Sequence, residues 1–306
     1  MYEFEGKEQI KLDIGVVLVT YNRAEKLKKA LESYEKQRFK PKYIYVVNNN
    51  STDSTADYLK TWESADSDIE HKVFSLEKNI GGSGGFHYGL SLAQDTDIDW
   101  VWLSDDDAYP DECCLEYMKN YILADKEKDV SAICSLVWSD GDIDTWHRRR
   151  FNKKFGIIRE ERIDKREYED NFELDLLSYV GVLIKKESLL SAGLTREEFF
   201  IAYDDSEHSI RLRKEGKIIC IPKAVVVHDA EPESPAAVSW KKYYVIRNKI
   251  YSYRKHFGYI QSHILAWYYR LKNADKKALN EMTKKAVKAA FKGELGVDDL
   301  YKPGWK

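Results

Sequence analysis

The alternation of short apolar runs with helical patterns in the first third of the chain constrains the fold more than any other sequence feature. The run at 14–20, IGVVLVT, is rich in β-branched residues and ends at polar residues, as a buried parallel strand does. Residues 24–37 then place four apolar side chains at helical spacing. Further apolar runs follow at KYIYVV, KVFSLE and DWVWLS. This order predicts an α/β fold, a mostly parallel Rossmann-like sheet flanked by helices.

Polar segments follow each of these predicted strands or lead into the next helix. They read TYNR, NNNSTDS, NIGGSGG and DDD. Because the carboxyl ends of parallel strands meet at one edge of a sheet, the ligands of such sheets bind there. The sequence therefore predicts a binding site built from these four segments.

The sequence after the fourth predicted strand predicts further strands on both sides of one highly charged segment. Residues 130–138 predict another strand, and residues 139–175 predict a mobile loop or a hairpin. LSYVGVLIKKESLLSAGL predicts a strand and then a helix. Residues 218–229 predict a final pair of strands that ends at His228.

Charge is distributed unevenly along the chain. The 306 residues carry a formal net charge of −3, but residues 240–306 hold 16 Lys and Arg against 5 Asp and Glu, a net +11. Residues 1–239 hold 33 basic and 47 acidic residues, a net −14. The sequence therefore predicts an acidic catalytic body over 1–239 and a basic, aromatic-rich helical extension over 240–306.

Targeting signals and cysteine spacing indicate the cellular compartment. The N-terminal segment is charged and has no apolar signal core. No run approaches the roughly 18 apolar residues that a membrane-spanning helix needs. The four cysteines lack metal-type spacing and are expected to be reduced thiols. These features predict a cytoplasmic protein.

Asp105, Asp106 and Asp107 directly follow the fourth predicted strand. Three adjacent carboxylates repel one another, and a hard divalent cation such as Mg²⁺ or Mn²⁺ stabilises them while it bridges substrate phosphates. Asp105 and Asp107 are expected to reach the same side of an extended backbone, and Asp106 is expected to point elsewhere, toward a hydroxyl of a ribose or of a transferred sugar. The alternative is a solvated turn or a helix N-cap.

Three further features carry groups suited to binding or catalysis. NIGGSGGF (79–86) resembles a phosphate cradle near a helix start, although a tight strand–helix turn is the alternative. Asp204 and Asp205 either supply a general base that deprotonates an alcohol or cap the helix that they open. His228 ends an apolar run, and it either completes a metal site or is a structural histidine.

Six segments in order resemble the inverting family 2 glycosyltransferases, which have a GT-A fold. They are VVLVTYNR, VVNNNSTDST, NIGGSGGF, WLSDDDA, FFIAYDDSEHSIRLR and VVVH, within residues 14–257. NIGGSGGF together with the triple Asp is most similar to bacterial galactofuranosyltransferases and related rhamnosyltransferases. The resemblance implies a GT-A nucleotide-sugar-binding domain followed by a C-terminal helical extension.

The resemblance also implies roles for individual side chains. Asp205 is expected to be the catalytic base, with Asp204 beside the acceptor. Mn²⁺ or Mg²⁺ is expected to be bound by Asp105, Asp107 and His228. The residues expected to bind the donor are Thr20, Tyr21, Arg23, Asn48, Asn79, Gly82 and Asp106. Asn48 stands where many relatives carry an Asp that contacts the base, so both UDP- and dTDP-sugars stay open as donors.

The reaction that the resemblance implies is metal-dependent transfer of a sugar with inversion, from UDP-galactofuranose onto a hydroxyl of a lipid-linked or surface-polysaccharide acceptor. A rhamnosyltransferase that uses dTDP-rhamnose is the first alternative. A non-catalytic nucleotide-sugar-binding subunit is the second, and the intact set of Asp105, Asp107, Asp205 and His228 argues against it. No nucleic-acid motif accompanies the basic extension, so nucleic acid is not an expected partner.

The first helix of the extension has an apolar face. At about 100° per residue, that face contains Tyr243, Ile246, Ile250, Tyr253 and Phe257. It either packs on the catalytic body or lies in a membrane interface, where flanking Lys and Arg reach anionic headgroups. The second alternative predicts a peripheral protein on the inner face of the plasma membrane.

Overall fold

The computed structural model describes residues 11–125, 128–230 and 239–305. These residues form a mixed α/β fold followed by two C-terminal helices. The strands are β1 (Ile14–Thr20), β2 (Tyr43–Asn48), β3 (Glu70–Ser75), β4 (Trp100–Asp105), β5 (Ala108–Pro110), β6 (Val130–Ser139), β7 (Asp142–Ile143), β8 (Arg148–Lys154), β9 (Ile157–Arg162), β10 (Phe172–Leu174), β11 (Leu176–Leu177), β12 (Val182–Lys185) and β13 (Lys217–His228). The α-helices are α1 (Ala24–Glu35), α2 (Thr55–Glu63), α3 (Gly81–Gln94), α4 (Cys114–Ala124), α5 (Lys186–Ala192), α6 (Asp204–Glu215), α7 (Lys241–Lys272) and α8 (Lys277–Lys292).

The four N-terminal strands form the parallel half of the central sheet, in the order β3-β2-β1-β4. Every residue of β1 is buried because helices cover both faces of the sheet. Thr20, Asn48 and Asp105 stand at the carboxyl ends of β1, β2 and β4. The polar segments therefore meet at one edge, as the sequence predicts.

Apolar side chains of the helices fill a core on each face of this sheet. On one face α1, α2 and α4 contribute Leu31, Trp62 and Leu115. On the other face α3 and α6 contribute Leu90 and Leu212. The two-layered core confirms the α/β class predicted from the alternation of strands and helices.

The second half of the sheet is mixed. β12 lies antiparallel between β4 and β6, and β13 runs parallel to β6 on its other side. The predicted strand pair at 218–229 is wrong, because Lys217–His228 forms one long strand with a register shift between Ile221 and Val225. Pro222, which has no N–H to donate, stands in this irregular stretch, and the pairing with β6 resumes at Val225.

The glycine segment forms the first turns of α3 and is not a separate turn before the helix. A Cβ on Gly85 would lie 2.5 Å from Val19 Cγ1, and one on Gly89 would lie 2.3 Å from Val17 Cγ1. These glycines therefore let α3 pack directly against β1. This contact brings the start of α3 to the carboxyl edge of the sheet.

The charged segment 139–175 contains a hairpin of β8 and β9, one of the two structures that its sequence predicts. Arg148 at the base of the hairpin is fully buried. Its guanidinium donates hydrogen bonds of 2.9 Å to the carbonyl of Ser135 and 2.7 Å to that of Val180. These bonds attach the hairpin to the central sheet, while Phe155 at the turn is fully exposed.

Helices α7 and α8 pack against each other and against the body. Tyr243, Ile246, Ile250 and Tyr253, four of the five residues predicted to share a face of α7, are at most 3% exposed. The packing alternative is therefore confirmed for this face, and these side chains are not available to a membrane. Among the described residues, no helix has the length and apolar character needed to cross a bilayer.

Candidate active site

Side chains from the end of β1, the loop before α1 and the triple Asp form one hydrogen-bonded group at the carboxyl edge of the sheet. Thr20 Oγ1 donates to Asp106 Oδ2 at 2.7 Å. Arg23 Nη1 lies 3.1 Å from Asp106 Oδ1 and 2.6 Å from Asp107 Oδ2. The backbone N–H of Tyr21 approaches Asp106 Oδ2 at 3.4 Å, while the Tyr21 side chain is 42% exposed. Both carboxylate oxygens of Asp106 are thus held, one by Thr20 at the end of β1 and one by Arg23 in the loop that follows.

Asp105, Asp107 and His228 form a second group in the same place. Each offers one ligand atom, and these atoms lie within 4.8 Å of one another. His228 reaches the group because β13 pairs antiparallel with β5, and His228 stands opposite Ala108. His228 Nε2 lies 3.4 Å from Asp107 Oδ1, a buried oxygen that accepts no hydrogen bond.

The charges of this group suit a divalent cation. Burial and the neighbouring Asp107 raise the pKa of Asp105 to about 8. Burial alone would raise the pKa of Asp107, but His228 and Arg23 outweigh it and hold that pKa below its usual value. Two carboxylates, one of them with an oxygen that accepts no hydrogen bond, and one imidazole fit an ion such as Mn²⁺ or Mg²⁺.

His147, which no sequence pattern indicated, stands beside this group. Its ring lies 5.0 Å from that of His228 in a perpendicular arrangement. Nδ1 is 2.6 Å from Ser178 Oγ, and Nε2 is 3.3 Å from Asp144 Oδ2. Burial lowers the pKa of His147. The only signal in the sequence was a histidine within the charged WHRRR segment, whose burial no local pattern reveals.

Asp204 and Asp205 form the first turn of α6, as predicted. Asp205 Oδ1 accepts hydrogen bonds from the backbone N–H of Ser206 at 2.5 Å and from its hydroxyl at 3.0 Å. Arg149, another residue that sequence patterns did not reveal, donates to Ser206 Oγ at 2.7 Å. Burial and the charge of Asp205 raise the pKa of Asp204 to about 7, and burial also raises the pKa of Asp205.

The backbone before this pair is strained. Phe200, Ala202 and Tyr203 have φ of +66°, +67° and +67°, values that residues other than glycine seldom adopt. Asn248 and Arg247 of α7 donate hydrogen bonds to carbonyls of this segment. The C-terminal extension therefore contacts the loop that presents Asp204 and Asp205.

The start of α3 packs against the same loop. A Cβ on Gly81 would lie 1.9 Å from the carbonyl oxygen of Phe200, so only glycine fits there. Asn79 Oδ1 accepts a 2.8 Å hydrogen bond from Gly81 N. Gly82 faces open space, because a Cβ added there would have no neighbouring atom within 4 Å. Of the glycines in this segment, Gly82 is the one with room for a ligand.

Two asparagines at the end of β2 orient the neighbouring loops. Asn48 is 3% exposed, and its Oδ1 accepts a 3.0 Å hydrogen bond from Ser51 N. Asn49, whose role no sequence pattern indicated, accepts from Ile80 N and donates to the Gly81 carbonyl, each at 2.9 Å. The NNN segment thus connects β2 to the start of α3.

Comparison with known proteins identifies the fold family. The family model for glycosyl transferase family 2 matches residues 15–182, more than half of the chain. The chain belongs to glycosyl transferase family 2. The match includes β1 to β4 and the triple Asp, so the family match covers Asp105 and Asp107 but ends before Asp205 and His228.

The curated relatives include two kinds of transferase. Galactofuranosyltransferase GlfT1 of Mycobacterium tuberculosis is 27% identical over 207 residues, which cover 66% of this chain and 65% of the relative. The chain therefore spans slightly less than two thirds of that relative. The dTDP-rhamnosyl transferase RfbF of Shigella flexneri is 25% identical over 252 residues, 79% of this chain and 80% of the relative.

Solved structures agree on the fold. The mannosyltransferase PcManGT from Pyrobaculum calidifontis, in complex with GDP-Man and Mn²⁺, matches with a TM-score of 0.56 and 16% identity. The match covers 93% of this chain and 76% of that protein. The likeness confirms the GT-A glycosyltransferase fold predicted from the sequence.

Proposed function

We propose that this family 2 member is a metal-dependent inverting glycosyltransferase that uses UDP-galactofuranose and a hydroxyl of a lipid-linked or surface-polysaccharide acceptor. The observation that carries the proposal is the meeting of Asp105, Asp107 and His228 at the carboxyl edge of the sheet, with both aspartates inside the residues that match the family 2 model. The galactofuranosyltransferase among the relatives supports the choice of sugar.

The proposed step is an in-line displacement at the anomeric carbon of the donor. Asp205 accepts the proton of the acceptor hydroxyl while that oxygen attacks, and the bond to the diphosphate breaks on the opposite face of the sugar. Burial raises the pKa of Asp205 and makes it a stronger base than an exposed carboxylate. Arg149 orients this carboxylate through Ser206.

Asp105, Asp107 and His228 would hold Mn²⁺ or Mg²⁺ beside the donor diphosphate. The bound cation supplies stabilisation of the negative charge that develops on the leaving diphosphate. Arg23 adds a fixed positive charge next to Asp106 and Asp107. This charge offsets the repulsion among the aspartates and leaves them oriented toward the donor.

Donor binding is proposed for the residues around these charges. Thr20, Tyr21, Arg23 and Asp106 form one wall at the end of β1, and Gly82 leaves open space at the start of α3. Asn48 and Asn79 are proposed near the nucleobase. Their side chains also order the loops at this edge, so they serve the donor both by contact and by positioning the backbone.

A dTDP-rhamnose-dependent rhamnosyltransferase is the second candidate. The rhamnosyl transferase relative matches 79% of this chain, more than the galactofuranosyltransferase does. Both candidates share the site, the metal and the base, and they differ in the nucleobase and the sugar. We propose a cytoplasmic location for the reaction in either case, with residues 1–239 as the catalytic domain.

A thermal-shift screen separates the two donors. Wild-type protein is heated with UDP-galactofuranose, dTDP-rhamnose or GDP-mannose, each with Mn²⁺, because a ligand bound to the folded state raises Tm by mass action. We expect the largest increase with UDP-galactofuranose. A larger increase with dTDP-rhamnose selects the second candidate, and no increase with any nucleotide sugar contradicts both.

A further inference from the structure

The second half of α7 exposes a stripe of large apolar side chains. After Gly258, where φ is +88°, the exposed fractions are 71% for Ile260, 65% for Trp267, 50% for Tyr268 and 55% for Leu271. At about 100° per residue these four positions fall within one face of the helix. A continuous apolar face of this kind on a protein surface marks an interaction site.

The tip of the β8–β9 hairpin lies beside this stripe. Gln261 of α7 donates a 2.6 Å hydrogen bond to the carbonyl of Gly156 and accepts a 3.1 Å hydrogen bond from Ile158 N. The ring centroids of Phe151 on β8 and Phe257 on α7 lie 4.9 Å apart and add a second contact. The hairpin turn is therefore fixed to α7. We call Phe155, Ile260, Trp267, Tyr268 and Leu271 together the hairpin–helix surface.

Positive charges surround the hairpin–helix surface. Lys153 and Lys154 are exposed next to Phe155 at the turn, and Arg270 and Lys272 are exposed on α7. The ammonium group of Lys272 lies 5.6 Å from the ring of Tyr268. The surface thus combines Trp, Tyr and aliphatic side chains with a rim of Lys and Arg, the composition of helices that lie in a bilayer interface.

We propose that the hairpin–helix surface docks the protein on an anionic lipid bilayer. The aromatic and aliphatic side chains enter the headgroup region, and the four cations reach the lipid phosphates. A second copy of the chain is the competing occupant of an exposed apolar face. In a two-fold dimer the Lys and Arg rims of the two copies would face each other, and their like charges would repel. This repulsion favours an anionic bilayer over a second copy as the occupant of the surface.

This surface differs from the buried face of α7 that the sequence suggested. It suits an enzyme whose proposed acceptor is lipid-linked, but docking is measured without donor or acceptor. A failure of vesicle binding would therefore not contradict the proposed transfer reaction. Likewise, an absence of transfer activity would not contradict docking on a bilayer.

Vesicle flotation with a matched pair of variants tests the proposal. Leu271 on the surface and Leu190 on α5 are each 55% exposed, so Leu271→Glu and Leu190→Glu add the same charge at equal exposure. Vesicles contain phosphatidylglycerol and phosphatidylcholine in equal parts, or phosphatidylcholine alone. Phe155→Ser is a second surface variant, because it lies in the hairpin turn and leaves α7 unchanged.

We expect wild type and Leu190→Glu to float with the anionic vesicles, and less so as salt is raised. Leu271→Glu and Phe155→Ser should each bind about tenfold more weakly. The proposal is overturned if both surface variants bind as strongly as wild type. It is also overturned if the wild-type protein does not bind anionic vesicles. Light scattering that shows a wild-type dimer split by Leu271→Glu, without vesicle binding, assigns the surface to a second copy.

Discussion

The side-chain amide of Asn248 donates a 2.9 Å hydrogen bond to the carbonyl of Ala202, two residues before Asp204. The same nitrogen lies 3.1 Å from the carbonyls of Phe199 and Ile201. Asn248 is fully buried, and the backbone that it holds includes positive φ values. A helix of the C-terminal extension therefore stabilises the strained segment that leads into the proposed catalytic base.

Replacing Asn248 by Asp should slow transfer without weakening nucleotide binding. The isosteric carboxylate repels the three carbonyls, which should shift the loop and lower stability by about 3 kcal/mol. We expect kcat to fall at least tenfold, while the Kd for nucleoside diphosphate with Mn²⁺ stays unchanged.

The control is Asn273→Asp at the end of the same helix. Asn273 is also buried, and its amide donates to Thr283 Oγ1 at 2.8 Å. This change should lower Tm without a selective loss of kcat. Equal effects of the two variants on kcat would mean that Asn248 supports the fold and does not position the base.

Asp205→Asn tests the proposed base directly. The amide keeps the shape of the side chain but cannot take a proton from the acceptor. Transfer should fall by about a thousandfold, with donor affinity nearly unchanged. Asp57→Asn, a change in the first turn of α2, is the control for altering charge at a helix start. Normal turnover by Asp205→Asn would show that another group is the base.

Asp204→Asn should stabilise the protein in a pH-dependent way. Burial and Asp205 raise the pKa of Asp204 to about 7, well above that of an unfolded carboxyl group. The protonated form is therefore favoured by folding, and its contribution is lost as pH rises from about 4 through 7. The variant has nothing to ionise, so its gain in Tm should be near zero at about pH 4 and reach a few degrees at about pH 8. A gain that is independent of pH would contradict this assignment.

Alanine substitutions at two glycines of α3 should distinguish an effect on helix packing from an effect on donor binding. A Cβ at Gly85 would lie 2.5 Å from Val19 Cγ1, whereas one at Gly82 would meet open space. Gly85→Ala should therefore lower stability by about 2 kcal/mol. Gly82→Ala should leave Tm intact or slightly raised, because alanine favours helix, and should weaken donor affinity. Unchanged donor affinity in Gly82→Ala, measured by titration calorimetry, would remove Gly82 from the donor site.

The parallel half of the fold could be predicted from the sequence because its signals are local. β1, β2 and β4 are mainly apolar, buried runs, and the polar segments between strands fix where each one ends. The edge strand β3 gives a weaker signal, with Val73 and Phe74 as its only large apolar residues. Asp105 is the last residue of β4 and Asp107 lies two residues beyond it, so their place at the sheet edge is determined by one strand. Their approach to His228 was an expectation from family resemblance, since it requires the pairing of β13 with β5.

Features that depend on tertiary contacts could not be predicted from local sequence patterns. His147 and Arg149 lie in a charged segment that looks solvated, yet both are largely buried by the hairpin's attachment to the sheet. The periodicity of α7 correctly grouped Tyr243 and Ile250 on one face, but periodicity does not identify what that face contacts. Gly258 separates this buried face from the exposed stripe that follows.

A titration of Mn²⁺ into metal-free protein tests most directly the claim that a metal ion is required for transfer. The protein is mixed with the nucleotide sugar that stabilises it most, and the rate of nucleoside diphosphate release is measured. We predict a saturable increase for wild type, no activity in excess EDTA, and at least tenfold more Mn²⁺ needed by His228→Ala, since one ligand of the cluster is lost. Full activity in excess EDTA, or an unchanged Mn²⁺ requirement in His228→Ala, would contradict the assignment of Asp105, Asp107 and His228 as the metal site.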